Sequence, residues 1–299
     1  MSTPEPFGVK ADRPAARIIF QGLFDDAAVF PPGLAPLPRA LRDHVARQAS
    51  SYADLVGPLL LPVTAIADLL SLEHPPVEIA VIGRPGTSLA LVGEALTSLG
   101  RRPGVTVTGV EIGWSPEWRH ADGLGPDTWG AESPSAQRSI EVPRGAELVS
   151  ALSDLQTHGS GASPVQAKFR TGSTPEQEAP TSTELATFIR ACIDHDLSFK
   201  LTGGLHHAFS RTTSAGARQL GFLNVIAATR WALSHGAGVP EMEPLLAQTD
   251  QGQILDIITR MSEADSSVVR AFFTSYGCCG VMDPIGDLAA LGLIREKTV

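Results

Sequence analysis

Short apolar runs recur along the chain and alternate with longer segments in which apolar residues are three or four positions apart. The runs have the length of strands and lie at residues 58–63, 78–83, 105–114, 139–143, 165–172, 198–204 and 272–277. The other segments have the spacing of amphipathic helices and lie at residues 37–53, 88–99, 146–158, 183–194, 223–234 and 245–261. Strands that alternate with helices are typical of a parallel sheet with right-handed crossovers.

The pattern supplies seven strands, and residues 18–24 or 221–225 are candidates for an eighth. We therefore predict an α/β fold, a TIM-type (β/α)8-like barrel that need not be regular, with an open doubly wound sheet as the alternative. Residues 1–16 are expected to form a flexible N-terminal arm, and residues 17–299 a single α/β barrel domain. Residues 113–135 and 171–182 are predicted to be long loops over the active-site face.

Composition narrows the class of protein. The chain has 299 residues and a net charge of −9, and this acidic balance argues against nonspecific binding of nucleic acid. It has no run of about 18 apolar residues that would span a membrane, and its three cysteines do not resemble a disulfide framework. We expect a cytoplasmic protein with a small-molecule partner, no nucleic-acid or membrane partner, and a homo-oligomer as an open alternative.

Charged residues lie near the carboxyl ends of four consecutive predicted strands. They are Glu111, Glu141, Lys168 with Arg170, and Lys200. A charge inside a buried sheet is costly unless it is paired, and the carboxyl ends of barrel strands are where catalytic groups collect. We predict that these residues form the functional centre, and the alternative is a set of salt bridges that only stabilises the barrel.

The two lysine strands allow two kinds of chemistry. Lys168 and Arg170 lie two residues apart and share one face of a strand, as do Lys200 and Thr202. A lysine near other cations has a lowered pKa, and its free amine attacks carbonyl groups to form a Schiff base. Alternatively, the cations bind an anionic substrate without covalent chemistry.

Both strands end in small residues, Thr171 with Gly172 and Thr202 with Gly203 and Gly204. Glycine lets backbone N–H groups approach a phosphate or a carboxylate closely. Ordinary turns also contain glycine. We therefore take these five residues as candidate contacts to the substrate, with a structural turn as the alternative.

The segments KFRTG at 168–172 and KLTGG at 200–204 resemble the lysine strands of deoxyribose-phosphate aldolase-like class I aldolases. The resemblance covers about 40 of the 299 residues. It implies that Lys168 forms the Schiff base and that Lys200 lowers the pKa of Lys168. The family's partner aspartate has no clear match, so Glu141 or Glu111 would take its place.

The whole chain also resembles a bacterial family to which no activity is assigned. The segments that carry this resemblance are FDDAAVFPPG, AKFRTG, FKLTGGLHH, GFLNV and FTSYG. This resemblance extends over more of the chain than the aldolase motifs, but it implies no chemistry.

Several further polar residues are candidates for the site. His206 and His207 follow the second lysine strand, and a histidine is the usual acid or base near neutral pH. Asp26 is a candidate acid at the barrel mouth or a helix cap, and Asn224 either orients a substrate or caps a turn. The thiols of Cys278 and Cys279 have no catalytic partner in the sequence, so we expect them to be buried and inert.

The candidates together favour a lyase of the class I aldolase type that acts on a small carbonyl compound bearing a phosphate or carboxylate. Lys168, Lys200, His206, His207 and Glu141 are its predicted catalytic residues. No cofactor and no metal are expected. Two alternatives stay open: a noncovalent isomerase, decarboxylase or metal-assisted hydrolase on the same scaffold, and a non-catalytic ligand-binding protein.

Overall fold

The computed structural model describes residues 17–115, 136–158, 165–175, 177–214 and 216–295. Seven strands come first: β1 (Phe24–Asp26), β2 (Val56–Pro62), β3 (Val77–Ile82), β4 (Val105–Gly113), β5 (Gln137–Glu141), β6 (Val165–Arg170) and β7 (Phe199–Thr202). A small antiparallel sheet follows, formed by β8 (Arg211–Thr212) and β9 (Arg218–Gln219). The last strand is β10 (Phe273–Cys278).

Strands β1 to β7 and β10 close into one parallel barrel. Each of the first seven pairs with its neighbour in sequence, and β10 pairs with both β7 and β1. The predicted (β/α)8 barrel is confirmed. The open doubly wound sheet is wrong, because the pairing of β10 with β1 leaves this sheet no free edge.

The helices form the outer layer of the barrel. They are α1 (Leu37–Gln48), α2 (Ile66–Ser71), α3 (Leu89–Gly100), α4 (Leu148–His158), α5 (Ser182–Asp194), α6 (Phe222–His235), α7 (Val239–Ala247), α8 (Gln251–Thr259), α9 (Glu263–Phe272) and α10 (Met282–Ala290). In the described part of the chain, no helix is both long and apolar enough to cross a membrane.

The elements of the structure differ from the predicted ones in several places. Of the two candidates for the eighth strand, residues 221–225 begin helix α6, and the strand forms at Phe24–Asp26 instead. The predicted helix at 245–261 is interrupted, because the Asp250 side chain caps a new helix by accepting a hydrogen bond from the Gly252 N–H. Helix α9 was not predicted, and it begins with a capping box between Ser262 and Asp265.

Successive side chains of β6 and β7 point alternately to the outer hydrophobic core and to the barrel interior. Phe169 and Phe199 face outwards, and both contact Phe188 of α5, at centroid distances of 4.5 Å and 5.4 Å. Successive side chains of a strand point to opposite faces, so Lys168 and Lys200 face inwards. The packing of these aromatic rings therefore determines that the two lysines enter the barrel.

The loop predicted at 171–182 is confirmed between β6 and α5, apart from residue 176, which lies outside the described residues. Most of the loop predicted at 113–135 and the whole predicted arm at 1–16 also lie outside them. The assignment of residues 17–299 to a single domain stays a prediction.

Gly221, just before α6, packs closely against the backbone of Phe209 and Ser210. A Cβ atom at this position would lie 2.2 Å from the backbone carbon of Phe209 and 2.4 Å from the Ser210 nitrogen. We expect Gly221→Ala to lower the free energy of unfolding by about 1–3 kcal/mol, because backbone atoms cannot move aside cheaply. Urea-induced unfolding followed by circular dichroism measures it.

Gly286 is the matched control, because it lies within α10 and a Cβ atom there would have nothing within 4 Å. Gly286→Ala is expected to leave the protein unchanged or more stable by up to about 1 kcal/mol, since alanine favours a helix. Equal effects of the two substitutions would contradict the packing described for Gly221.

Candidate active site

Six charged side chains form one alternating row inside the barrel. In order they are Arg170, Glu141, Lys168, Glu111, Lys200 and Asp25. Each ammonium group lies between two carboxylates, and Glu111 contacts both lysines. The row holds three cations and three anions, so the charges that enter the barrel balance each other.

The distances are those of direct ion pairs. Lys168 Nζ lies 2.8 Å from Glu111 Oε2 and 3.0 Å from Glu141 Oε2. Lys200 Nζ lies 2.6 Å from Asp25 Oδ2 and also donates a hydrogen bond to Glu111 Oε1. Paired charges of this kind avoid the cost of isolated ions in a buried site.

The pairing of the strands brings these residues together. Lys168 of β6 is in register with Glu141 of β5 on one side and with Lys200 of β7 on the other. Lys200 is in register with Ser275 of β10, whose hydroxyl donates a hydrogen bond to the Asp25 carboxylate at 2.8 Å. The row therefore follows from the closed order of the strands.

The carboxylates control the protonation of both lysines. Burial alone would lower the pKa of Lys168, but Glu111 and Glu141 outweigh it and raise this pKa above its ordinary value. For Lys200 the same opposition, with Asp25 and Glu111 as the partners, also raises the pKa. The expectation that neighbouring cations lower the pKa of Lys168 is wrong for this state, because its direct neighbours are carboxylates.

The carboxylates respond unequally. Burial alone would raise the pKa of Glu111, but Lys168 and Lys200 lower it to about 2. Burial likewise opposes Lys168 and Arg170 at Glu141, and the net effect lowers its pKa. At Asp25 burial dominates and raises the pKa, although Lys200 opposes it. The two lysines therefore favour the ionised form of Glu111, whereas burial favours the protonated form of Asp25.

A cavity of about 1550 Å³ opens over the carboxyl ends of the strands. Four members of the row line it: Glu111, Glu141, Lys168 and Arg170. Asp25, Lys168 and Lys200 are all buried, with 3–4% of each residue exposed, and of these three only Lys168 lines the cavity. Lys168 is therefore the lysine at the cavity wall, and Lys200 lies behind it in contact with the same Glu111 carboxylate.

The opposite wall of the cavity is apolar. Ala27, Leu60 and Ile82 belong to a small buried cluster inside the barrel, and Phe30 packs against it. All four line the cavity. The charged wall comes from β4, β5 and β6, so a bound molecule would meet charge on one side and hydrocarbon on the other.

The glycines at the strand ends allow two loops to pack closely. A Cβ atom on Gly172 would lie 3.0 Å from the Gly204 nitrogen. Gly203 and Gly204 have φ values of +70° and +68°, which favour glycine. These glycines line the cavity together with Thr171 and Thr202, and the Thr171 hydroxyl donates hydrogen bonds to carbonyls of the neighbouring loop.

Both predicted histidines line the cavity, but their surroundings differ. His206 lies between the thiols of Cys278 and Cys279, at 3.7 Å and 3.8 Å from their Sγ atoms. His207 Nδ1 lies 3.5 Å from an Asp287 carboxylate oxygen. Burial lowers the pKa of His206 below its ordinary value, so its imidazole is neutral at pH 7.

Two of the predicted substrate contacts lie elsewhere. Asp26 is buried against His44 Nδ1 at 3.0 Å and Arg47 Nη1 at 2.6 Å, beside α1. Neighbouring residues of a strand face opposite sides, so Asp25, and not Asp26, enters the barrel. The sequence pattern does not distinguish the two aspartates, and the structure places Asp25, and not the expected Asp26, in the charged row.

Asn224 is the second correction. Its amide oxygen accepts a hydrogen bond from the Ser210 N–H, and its amide nitrogen donates to the carbonyls of Leu245 and Gln248. The side chain is fully buried and does not line the cavity. Asn224 connects α6 to the end of α7 and has a structural function.

Among the described residues, no group of three or more His, Cys, Asp and Glu side chains has the arrangement of a metal site. A metal-assisted hydrolase would need such a group, and His206 and His207 do not form one with a carboxylate in the described part of the chain. His206 and His207 instead have the separate partners described above.

Substitution of Glu111 tests the contribution of the ion pairs to the stability of the fold. We expect Glu111→Gln to lower the free energy of unfolding by about 3–5 kcal/mol near neutral pH, because it leaves two buried ammonium groups undercompensated. The pKa of Glu111 is about 2 in the folded state and 4.5 ordinarily. Its ion pairs therefore stabilise fully above pH 4.5, and their contribution is lost as the pH falls towards 2.

Urea unfolding of both proteins across this pH range measures the effect, and the difference in stability should shrink as the pH falls. Glu78→Gln is the control, since Glu78 is an exposed residue of β3. A difference that stays constant with pH would contradict the assignment of Glu111 as the shared ion-pair partner.

The fold of this chain resembles that of a solved structure. No family model matches the chain, and no curated protein matches it. Among solved structures it is similar to a deoxyribose phosphate aldolase from Aeropyrum pernix, described as a tetramer, with a TM-score of 0.51 and 10% identity over 93% of each chain. At this identity the similarity shows the fold alone, the closed barrel of eight parallel strands.

Proposed function

We propose that the chain is a lysine-dependent lyase of the class I aldolase type, acting on a small carbonyl compound that bears a carboxylate or phosphate. The observation that carries the proposal is the position of Lys168. Its Nζ atom faces the cavity between the carboxylates of Glu111 and Glu141. An amine held in this way is in place to attack a carbonyl group.

The carboxylates of Glu111 and Glu141 would oppose the loss of the Lys168 proton, but they would then stabilise the cationic Schiff base. A Schiff base forms from the free amine, so the raised pKa of Lys168 requires a proton to leave before attack. Glu141 contacts Lys168 and lines the cavity, which makes it the acceptor we assign for that proton. The free amine adds to the carbonyl carbon, a proton passes from nitrogen to oxygen to give a carbinolamine, and the proton held by Glu141 lets the hydroxyl leave as water. The product is a cationic iminium, and the same carboxylates would stabilise its charge without rearranging.

Lys200 would tune this lysine indirectly. Its ammonium group shares the Glu111 carboxylate with Lys168. Part of the negative charge of Glu111 is therefore directed towards Lys200, which weakens its hold on the Lys168 proton. This agrees in direction with the function that the aldolase resemblance implies for Lys200.

The charges around the cavity support an anionic substrate. Arg170 lines the cavity beside Lys168 and keeps 34% of its side chain exposed. Arg84, Arg144 and Arg218 also line it, although the whole chain carries a net charge of −9. A cationic cavity on an acidic protein attracts anions, and Arg170 is the guanidinium we assign to the anionic group.

The remaining members of the proposed site would bind or move protons. His206 and His207 are the acid or base groups at the mouth. Thr171, Gly172, Thr202, Gly203 and Gly204 surround the anionic group. The tetramer described for the Aeropyrum pernix aldolase makes a homo-oligomer part of the proposal, and cytoplasmic localisation is kept as an expectation.

A noncovalent isomerase or decarboxylase is the second candidate, favoured by the raised pKa of Lys168. A protonated Lys168 would stabilise an enolate by its charge, and Glu141 would remove the α-proton. The non-catalytic alternative expects closed salt bridges and no open cavity. The ion pairs are present, but Lys168 and His206 line an open cavity, which counts against that alternative.

Borohydride trapping tests the covalent function. The full chain is incubated with 2-deoxyribose 5-phosphate, pyruvate or acetaldehyde, reduced, digested and analysed by mass spectrometry. We expect a secondary-amine adduct on Lys168, increasing as the pH rises towards the raised pKa of this lysine. Lys10 and Lys297, the other two lysines of the sequence, serve as internal controls for nonspecific reaction.

Lys168→Met should abolish the adduct, while Lys200→Met should slow its formation. Adducts confined to Lys10 and Lys297, unchanged in Lys168→Met, would exclude the Schiff-base function. If calorimetry then still shows binding that Lys168→Met removes, the noncovalent candidate is supported.

Arg170→Met tests the anion contact. We expect about tenfold weaker binding of 2-deoxyribose 5-phosphate, the cost of losing one hydrogen bond to a charged group. Binding of unphosphorylated 2-deoxyribose should change little, and calorimetry with both ligands gives the comparison. Arg260→Met, at an exposed arginine of the outer surface, is the control, and equal losses for both sugars would contradict the contact.

A further inference from the structure

The cavity contains a second potential nucleophile, the thiol of Cys279. Cys279 directly follows β10 and lines the cavity. It is only partly buried, whereas Cys192 and Cys278 are fully buried. Cys279 is therefore the cysteine that a molecule in the cavity can reach.

A base lies against this thiol. Sγ of Cys279 is 3.8 Å from Nε2 and 3.9 Å from Nδ1 of His206, within the range of a hydrogen bond to sulfur. Gly203, Gly204 and Leu205 all have positive φ values, and this turn after β7 carries His206 across to the neighbouring strand β10. The contact joins residues 73 positions apart, so the sequence does not reveal it.

The backbone around Cys279 suits a sulfur anion. The backbone N–H groups of Gly33 and of Cys279 itself lower the pKa of this thiol, although burial is the larger effect and raises it. A Cβ atom on Gly33 would lie 3.2 Å from Cys279 Cβ and 2.8 Å from the Ala28 carbonyl oxygen. Only a residue without a side chain lets this segment approach the sulfur so closely.

We propose that Cys279 and His206 form a nucleophilic thiol site that captures small aldehydes in the cavity reversibly, as thiohemiacetals. The thiol is protonated at rest, so its reaction requires a base in contact with it. In this step the Nδ1–H of His206 donates to Sγ of Cys278, 3.7 Å away, and Nε2 carries the lone pair that accepts the Cys279 proton.

The step balances without another reagent. The Cys279 Sγ–H proton passes to His206 Nε2, the sulfur bonds to the carbonyl carbon, and the C=O π bond breaks. The resulting alkoxide then takes the proton back from the imidazolium. No step uses Lys168, so the proposal does not depend on the lyase function.

The charged groups around the pair set its pH dependence. Asp26 and Asp283 raise the pKa of Cys279. At His206, Asp283 opposes the lowering caused by burial, His207 and Arg211. Below the pKa of the thiol, the rate at which Cys279 reacts should follow the fraction of His206 that is neutral. The rate should therefore be constant near neutral pH and fall in acid.

Alkylation by iodoacetamide, followed by mass spectrometry of the peptides, tests the pair. We expect Cys279 to react first, and His206→Asn to slow it about tenfold or more, as for the loss of a general base. In that variant the rate should rise with pH only as the thiol itself ionises. His235→Asn is the control, because His235 is exposed at the end of α6 and does not line the cavity, and it should keep the original rate and pH profile.

Alkylation of Cys192 reports misfolding, because this cysteine reacts only if the core opens. If His206→Asn exposes Cys192, the more conservative His206→Gln is used instead. An unchanged Cys279 rate in a variant that keeps Cys192 protected would overturn the proposal, and so would a Cys279 that does not react.

Acetaldehyde labelled with ¹³C at its carbonyl tests the capture directly. We expect a new resonance of a tetrahedral carbon on the protein that is absent in Cys279→Ser and present in Lys168→Met. This pair of variants separates the two sites. A resonance that persists in Cys279→Ser would overturn the thiol site. It would not affect the lyase proposal, which the borohydride experiment alone tests.

Discussion

The carboxylate of Glu111 lies between the ammonium groups of Lys168 and Lys200, and the interior of the barrel depends on this shared contact. Two lysines on adjacent strands, in register with each other, would repel strongly in a buried site. Glu111, with Asp25 and Glu141 at the two sides, converts this repulsion into a row of alternating charge. The row also keeps both lysines protonated at rest, which constrains any reaction at Lys168.

The same row divides the barrel mouth into two unlike halves. Charge gathers on β4, β5 and β6, while Ala27, Leu60 and Ile82 form the opposite wall. Cys279 and His206 add a third kind of chemistry at the rim. A carbonyl compound in this cavity would meet the ammonium group of Lys168, a thiol, an imidazole and carboxylates, and this combination is the reason for proposing carbonyl chemistry.

Local patterns explain why much of the barrel could be predicted from the sequence. The apolar runs of β6 and β7 are flanked by clear turn residues, and their alternation places Lys168, Arg170 and Lys200 on one face. Strand β1 is short and contains two aspartates, so its face could not be assigned from the pattern. The structure assigns Asp25 to the barrel interior and Asp26 to the contact with His44 and Arg47.

The sequence by itself determined the alternation of strands and helices through most of the barrel, and it indicated that charged residues lie at the strand ends. Both follow from local spacing, which the chain carries within a few residues. Only the tertiary structure decided which charges pair, that Lys200 is covered while Lys168 faces the cavity, and that Cys279 meets His206. These contacts depend on closure of the barrel between β1, β10 and β7, because closure brings together side chains that are far apart along the chain.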